Sequence, residues 1–151
     1  MKVSGTSIKH HKRRGEWAEL RFMARAAEHG FSVSKPWGDS QAYDFIVEHK
    51  ARFLRIQVKS TAYRRRRSYQ CRIRGCGGRK YSNYEIDFIA VYIIPRNIWF
   101  IFPVEVVLRA QSDLILSPHL EVSKNGAYEE AWHLMLGGNA APPELCHAER
   151  A

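Results

Sequence analysis

Four polar residues hold the chemical interest of this chain: Asp44, Gln57, Lys59 and an acid on the first helix, Glu16 or Glu19. Residues 43–48 and 53–60 both read as strands. In the second, Leu54, Ile56 and Val58 alternate with Phe53, Arg55, Gln57 and Lys59, the period of a half-buried strand. Residues 49–52 between them fit a hairpin loop. If the turn is centred between Lys50 and Ala51, Glu48 faces Phe53 and Asp44 faces Gln57. Directly opposed side chains lie only ~5 Å apart. Lys59, two residues beyond Gln57, points the same way. One hairpin edge then presents a carboxylate, an amide and an ammonium together.

A helix over residues 15–29 supplies the fourth group. Glu16, Leu20, Met23 and Ala27 repeat at helical spacing, Glu19 lies beside them, and Gly30 is a stop signal. A carboxylate on the core side of a helix is costly unless paired. Each residue has an ordinary use as well: Glu19 pairing with an Arg, Asp44 capping a turn, Lys59 solvated on its strand. Together they suit a hard divalent cation, because Mg²⁺ takes oxygen ligands and keeps water. Such an ion acidifies bound water and stabilises charge on a phosphoryl oxygen. A neighbouring Lys orients the water or steadies that charge. The set is one for phosphodiester cleavage, with Mg²⁺ as cofactor and Mn²⁺ as its substitute.

The charge distribution points the same way. Residues 50–80 carry 12 Lys and Arg and no Asp or Glu. Subtracting those 12 from the formal net charge of +9 leaves −3 on the other 120 residues. Positive charge so localised argues for a polyanionic partner, against the plainer reading of a solvated loop. The run Arg64, Arg65, Arg66, Arg67 and the group Lys12, Arg13, Arg14 flank the motif and would reach phosphates. Gln70, Arg72 and Arg74 share one face of a strand over 69–74 and could read purine edges. Trp37, in a loop with Pro36, Gly38, Asp39 and Ser40, is a further candidate for DNA contact.

The remaining elements must position these groups. A chain of 151 residues, 45% hydrophobic and 26% charged, fits one domain. We expect a basic arm over 1–14, a catalytic domain over 15–136 and a tail over 137–151. Short strands fall at 31–33 and 98–102, and a nearly continuous apolar run at 86–94 reads as a central strand buried on both faces. Helices fall at 104–110 and 127–136. No run approaches the ~18 apolar residues of a membrane span, and the first 14 residues lack a signal peptide's apolar middle. Three Cys imply no closed disulfide framework, and a cytoplasmic setting is expected. Cys71 and Cys76 have no second Cys or His pair at zinc spacing, His10 and His11 read as solvated, and Asp87 reads as a strand-end hydrogen-bonding group.

The chain resembles the PD-(D/E)XK nuclease superfamily in Gly15-Glu16-Trp17-Ala18-Glu19, Gly30-Phe31-Ser32-Val33, Tyr43-Asp44 and Gln57-Val58-Lys59-Ser60-Thr61. It is similar to archaeal Holliday-junction resolvases, and more closely to group I intron-associated homing endonucleases. That closer resemblance extends to Tyr84-Glu85-Ile86-Asp87-Phe88-Ile89-Ala90-Val91-Tyr92, Trp99-Phe100-Ile101-Phe102-Pro103 and Tyr128-Glu129-Glu130-Ala131-Trp132. It implies an α/β fold, a restriction-endonuclease-like single domain with a mixed central β-sheet flanked by helices. It also implies a metal ligand at Asp44, a catalytic Lys59 and a further ligand at Glu19 or Glu16. Gln57 stands where most members have Glu or Asp, as in the intron-associated branch, and an amide oxygen binds a cation without bringing charge. Ala42-Tyr43 replaces the usual Pro. The implied function is a Mg²⁺-dependent endonuclease acting on double-stranded DNA, with no membrane association. It would work as a homodimer or homotetramer, since cutting two strands needs two sites. The alternatives are a junction resolvase and a non-catalytic basic nucleic-acid-binding module.

Overall fold

A computed structural model describes residues 6–110, 113–120 and 122–137. Helix α1 (His11–Glu28) leads into β1 (Ser32–Ser34), and a hairpin follows as β2 (Phe45–His49) and β3 (Arg52–Thr61). A small hairpin, β4 (Arg64–Arg65) and β5 (Ser68–Cys71), precedes the central strand β6 (Phe88–Ile93). β7 (Ile98–Pro103), α2 (Val104–Arg109), β8 (Leu114–Leu116) and 3-10 turns at Gly126–Tyr128 and Trp132–Leu136 complete it.

The main sheet runs β1-β2-β3-β6-β7, and a second sheet runs β4-β5-β8. Among the described strands only β3 and β6 are parallel, with Gln57 opposite Ile89 and Lys59 opposite Val91; the other pairs are antiparallel. This is the mixed α/β sheet with flanking helices that the sequence led us to expect. The hairpin register is also the expected one. Glu48 pairs with Phe53 and Phe45 with Ile56, so Asp44 falls opposite Gln57.

Every residue of β6 is buried, because the strand is covered on both faces. Phe88, Ala90 and Tyr92 join Leu54, Ile56, Val58 and Phe45 in the core beneath α1. Ile89, Val91 and Ile93 join Tyr69, Cys71, Phe100, Phe102, Leu114 and Leu116 in a second core beneath the small sheet. Phe22 anchors α1, its ring 5.4 Å from Phe45, 5.7 Å from Trp99 and 5.8 Å from Trp132.

Several expectations need correction. The helix begins at His11, so Lys12, Arg13 and Arg14 lie in its first turn and not in an arm. Its buried stripe is Ala18, Phe22 and Ala26, whereas Leu20 is 64% exposed and Glu16 and Ala27 face solvent. Small alanines let the helix backbone approach the sheet while Phe22 fills the gap. The 69–74 strand ends at Cys71, so Arg72 and Arg74 lie beyond it. The 127–136 helix is two 3-10 turns, interrupted at Glu130, where φ is +47°. There the Glu130 carboxylate accepts hydrogen bonds from Trp99 N and Trp132 Nε1. The expected tail lies, apart from Gly137, outside the described residues.

Candidate active site

Asp44 precedes β2, where its N–H donates to the Ile56 carbonyl at 2.9 Å and holds it in register with β3. Its Oδ2 accepts two short hydrogen bonds, from Gln57 Nε2 and Val58 N, both 2.7 Å. Gln57 Nε2 also donates to the Val58 carbonyl at 3.1 Å. The pairing inferred from the strand period is thus a physical contact. Burial pushes the Asp44 carboxyl up to about 6, and nearby Glu19 pushes in the same direction. The Val58 N–H and the ammonium groups of Lys59 and Lys35 oppose this without cancelling it. Asp44 is therefore a carboxylate short of positive charge.

Lys59 alternates with core residues Ile56 and Val58 and so faces away from α1. Its Nζ donates to the Arg74 carbonyl at 3.2 Å and lies 5.5 Å from the centre of the Tyr81 ring. The segment after β5 therefore holds the ammonium in place, a support that no sequence pattern announces. Glu19 approaches from the helix side, half-buried, and takes a 2.6 Å ion pair from Lys35. Lys35 carries no sequence signal either. Sixteen positions separate it from Glu19, and only the turn from α1 into β1 brings the two together. Glu16 is exposed and makes no ion pair among the described residues.

The available donors are the free oxygen of Asp44, the Glu19 carboxylate and the Gln57 amide oxygen. All are hard oxygen ligands, and the under-compensated burial of Asp44 is what a divalent cation would relieve, so the set fits a hard divalent cation. Among the described residues there is no group of three or more His, Cys, Asp or Glu side chains placed to hold a metal. Such a site would rest on two carboxylates and one neutral amide.

Away from this edge, Asp87 is clamped by Arg55. It accepts from Arg55 N at 2.8 Å, Nε at 3.0 Å and Nη2 at 3.0 Å. Burial alone would raise the Asp87 carboxyl, but these bonds hold it below the usual range. The group is structural, joining β3 to the entry of β6. Gln70 donates to Asp113 Oδ2 at 2.9 Å, so its amide is engaged within the small sheet. Lys12, Arg13, Arg64, Arg65, Arg66, Arg67 and Arg72 are exposed, whereas Arg14 and Arg74 are half-buried. Trp37 is fully exposed. Burial pushes the Cys71 thiol up to about 12, so it is an inert core group.

The family model of the PD-(D/E)XK endonucleases matches residues 9–135, and the chain belongs to that family. Among solved structures, the fold is similar to that of a bacterial homing endonuclease, I-Ssp6803I, with a TM-score of 0.75 and 28% identity. That match covers 86% of this chain and 94% of the other. A looser likeness is to Hjc, a Holliday junction resolvase of Archaeoglobus fulgidus, with a TM-score of 0.47 and 18% identity over 70% of this chain and 84% of the other. No curated protein sequence is matched. No helix among the described residues is long and apolar enough to cross a membrane.

Proposed function

We propose that the protein is a Mg²⁺-dependent DNA endonuclease of the homing-endonuclease kind, specific for a site or structure in duplex DNA. The observation that carries this reading is the Asp44–Gln57 hydrogen bond beside Lys59, at the end of one hairpin, in a member of this family. Asp44, Glu19 and the Gln57 carbonyl would hold the cation. When bound, the ion supplies a more acidic water and stabilises charge on the phosphoryl oxygen.

The chain's own residues do the rest. The Val58 N–H and the Gln57 amide fix the Asp44 carboxylate through one oxygen and leave the other free. Lys59, fixed by the Arg74 carbonyl, presents an ammonium to the attacking water or to the charge developing on the phosphoryl oxygens. The exposed Arg64–Arg67 run and the first turn of α1 supply phosphate contacts that set position without reading sequence. Gln70, Arg72 and Arg74 are the proposed base readers, and Gln70 must release Asp113 to take part. The catalytic unit begins with helix α1, whose first turn from His11 lies before the expected boundary at residue 15, and runs to residue 136, acting in the cytoplasm. Each unit has one such site, so cutting both strands calls for a homodimer or homotetramer.

The test is cleavage of a random-sequence DNA pool with Mg²⁺ or Mn²⁺, followed by sequencing of the ends, with a four-way junction assayed alongside. Cutting should stop with chelator. Lys59→Ala should lower the single-turnover rate ~10²-fold or more while leaving most DNA affinity, because the ammonium acts mainly in the transition state. Wild-type rates in Lys59→Ala and Asp44→Ala together would overturn the nuclease reading in favour of a binding module.

A further inference from the structure

Lys35 lies in a cluster of acids and has no part in the chemistry just described. It follows β1 directly, so the sheet edge fixes its backbone, while Pro36 stiffens the chain beyond it. Its Nζ stands 2.6 Å from Glu19 Oε2 and 5.5 Å from the centre of the Phe45 ring, next to Asp44 in sequence. Glu19, Asp44 and Glu16 all raise the Lys35 pKa, the hydrogen bond to Glu19 most strongly. The ammonium is thus the positive charge nearest one of the two carboxylates proposed to hold the cation. The partners are unequal: the Lys35 side chain is 56% exposed and the Glu19 side chain 23%. Lys35 has solvent into which it can swing, and Glu19 is the more confined.

We propose that Lys35 is an internal counter-ion of the active site, occupying Glu19 and competing with the divalent cation for it. This rests on the proposed function. Lys35 takes Oε2 of Glu19, so a cation must either bind through Oε1 against the repulsion of the ammonium or turn Lys35 outward, and either way its binding is weakened. The site is therefore neutralised in the absence of metal, and its metal affinity is set below what its oxygen donors alone would give. The alternative is a purely structural tie between α1 and β1, and exposed pairs of that kind contribute little to stability.

The two roles separate in Mn²⁺ binding to the full chain, followed by the loss of the free-ion electron paramagnetic resonance signal without DNA. Lys35→Met should tighten Mn²⁺ binding roughly tenfold, the scale of one nearby charge removed. Lys35→Arg, which keeps the charge, should bind near the wild-type level. In a Glu19→Gln background, Lys35→Met should have little further effect, since the contested carboxylate is gone. If Lys35→Met does not fold, Lys35→Gln takes its place in the same comparison. Unchanged or weaker Mn²⁺ binding, with only a lowered Tm, would leave Lys35 a structural tie and overturn the proposal. Asp44→Ala separates this failure from that of the parent reading: if it binds Mn²⁺ as tightly as wild type, there is no metal site at Asp44, and both readings fall.

Discussion

At the scale of residues, the decisive property is the half-answered charge of Asp44. Two N–H groups satisfy one carboxylate oxygen, yet burial still raises its pKa to about 6. The sign of the consequence is fixed by linkage. A carboxyl raised in the folded state contributes stability that is fully present below its unfolded value and lost as pH rises through about 6. Asp44→Asn keeps the size and an acceptor for Val58 N but removes the charge. In metal-free buffer it should be the more stable protein at pH 8, by up to ~2–3 kcal/mol. The advantage should shrink toward zero near pH 4. Urea titrations at the two pH values measure it, and an equal difference at both would mean that Asp44 does not titrate as described. The identities of Asp44, Gln57 and Lys59 were legible because strand alternation and a hairpin sum place them together without any tertiary knowledge. Lys35 was not, since its partner lies on a helix whose rotation the sequence alone misassigned.

At the scale of elements, the hairpin is the part that sequence reasoning resolved best, for a physical reason. A one-residue slip would turn Leu54, Ile56 and Val58 out of the core, so the register has one acceptable value. The turn itself is unusual. Lys50 and Ala51 both have positive φ, +48° and +60°, a conformation that favours Gly or Asn. Ala51→Gly should therefore stabilise the protein by up to ~1 kcal/mol, a rise in Tm of ~2–4 °C, read by thermal melts. A lowered Tm would show that the turn costs Ala51 nothing. The helix was less legible. Its inward stripe is two alanines around one phenylalanine, which carry less pattern than the exposed Leu20 that points to the wrong face. β8 spans three residues and pairs only with β5, too little for a periodic signal.

At the scale of the whole molecule, charge is segregated from the fold. The Arg64–Arg67 run is exposed at the tip of the small hairpin, whose second strand is anchored by buried Tyr69 and Cys71. If it touches phosphates, replacing all four with Ala should weaken DNA binding alike on every sequence. The log–log salt slope should also flatten, by up to ~0.9 for each phosphate that is no longer neutralised. Fluorescence anisotropy across a salt series is the measurement, and an unchanged slope would remove the hairpin from the interface. The second sheet was not foreseen, because short polar strands such as Arg64–Arg65 look like loop until a partner strand is known.

The parallel pairing of β3 with β6 means that the chain leaves one end of the sheet and must return to start again beside itself. The stretch between Thr61 and Phe88 is that return path, and it holds both the arginine hairpin and the carbonyl that steadies Lys59. It also covers the sheet face, with Tyr69, Cys71, Tyr81 and Ile86 buried in the second core. The Arg64–Arg67 side chains within it are exposed, so their number and charge can change at little cost to the core. Asp44, just before β2, and Gln57, on β3, are instead set by the register of the β2–β3 pair. Under the proposed function, a change of DNA contacts in the detour need not disturb Asp44 and Gln57, provided the few residues around Arg74 and Tyr81 keep their grip on Lys59.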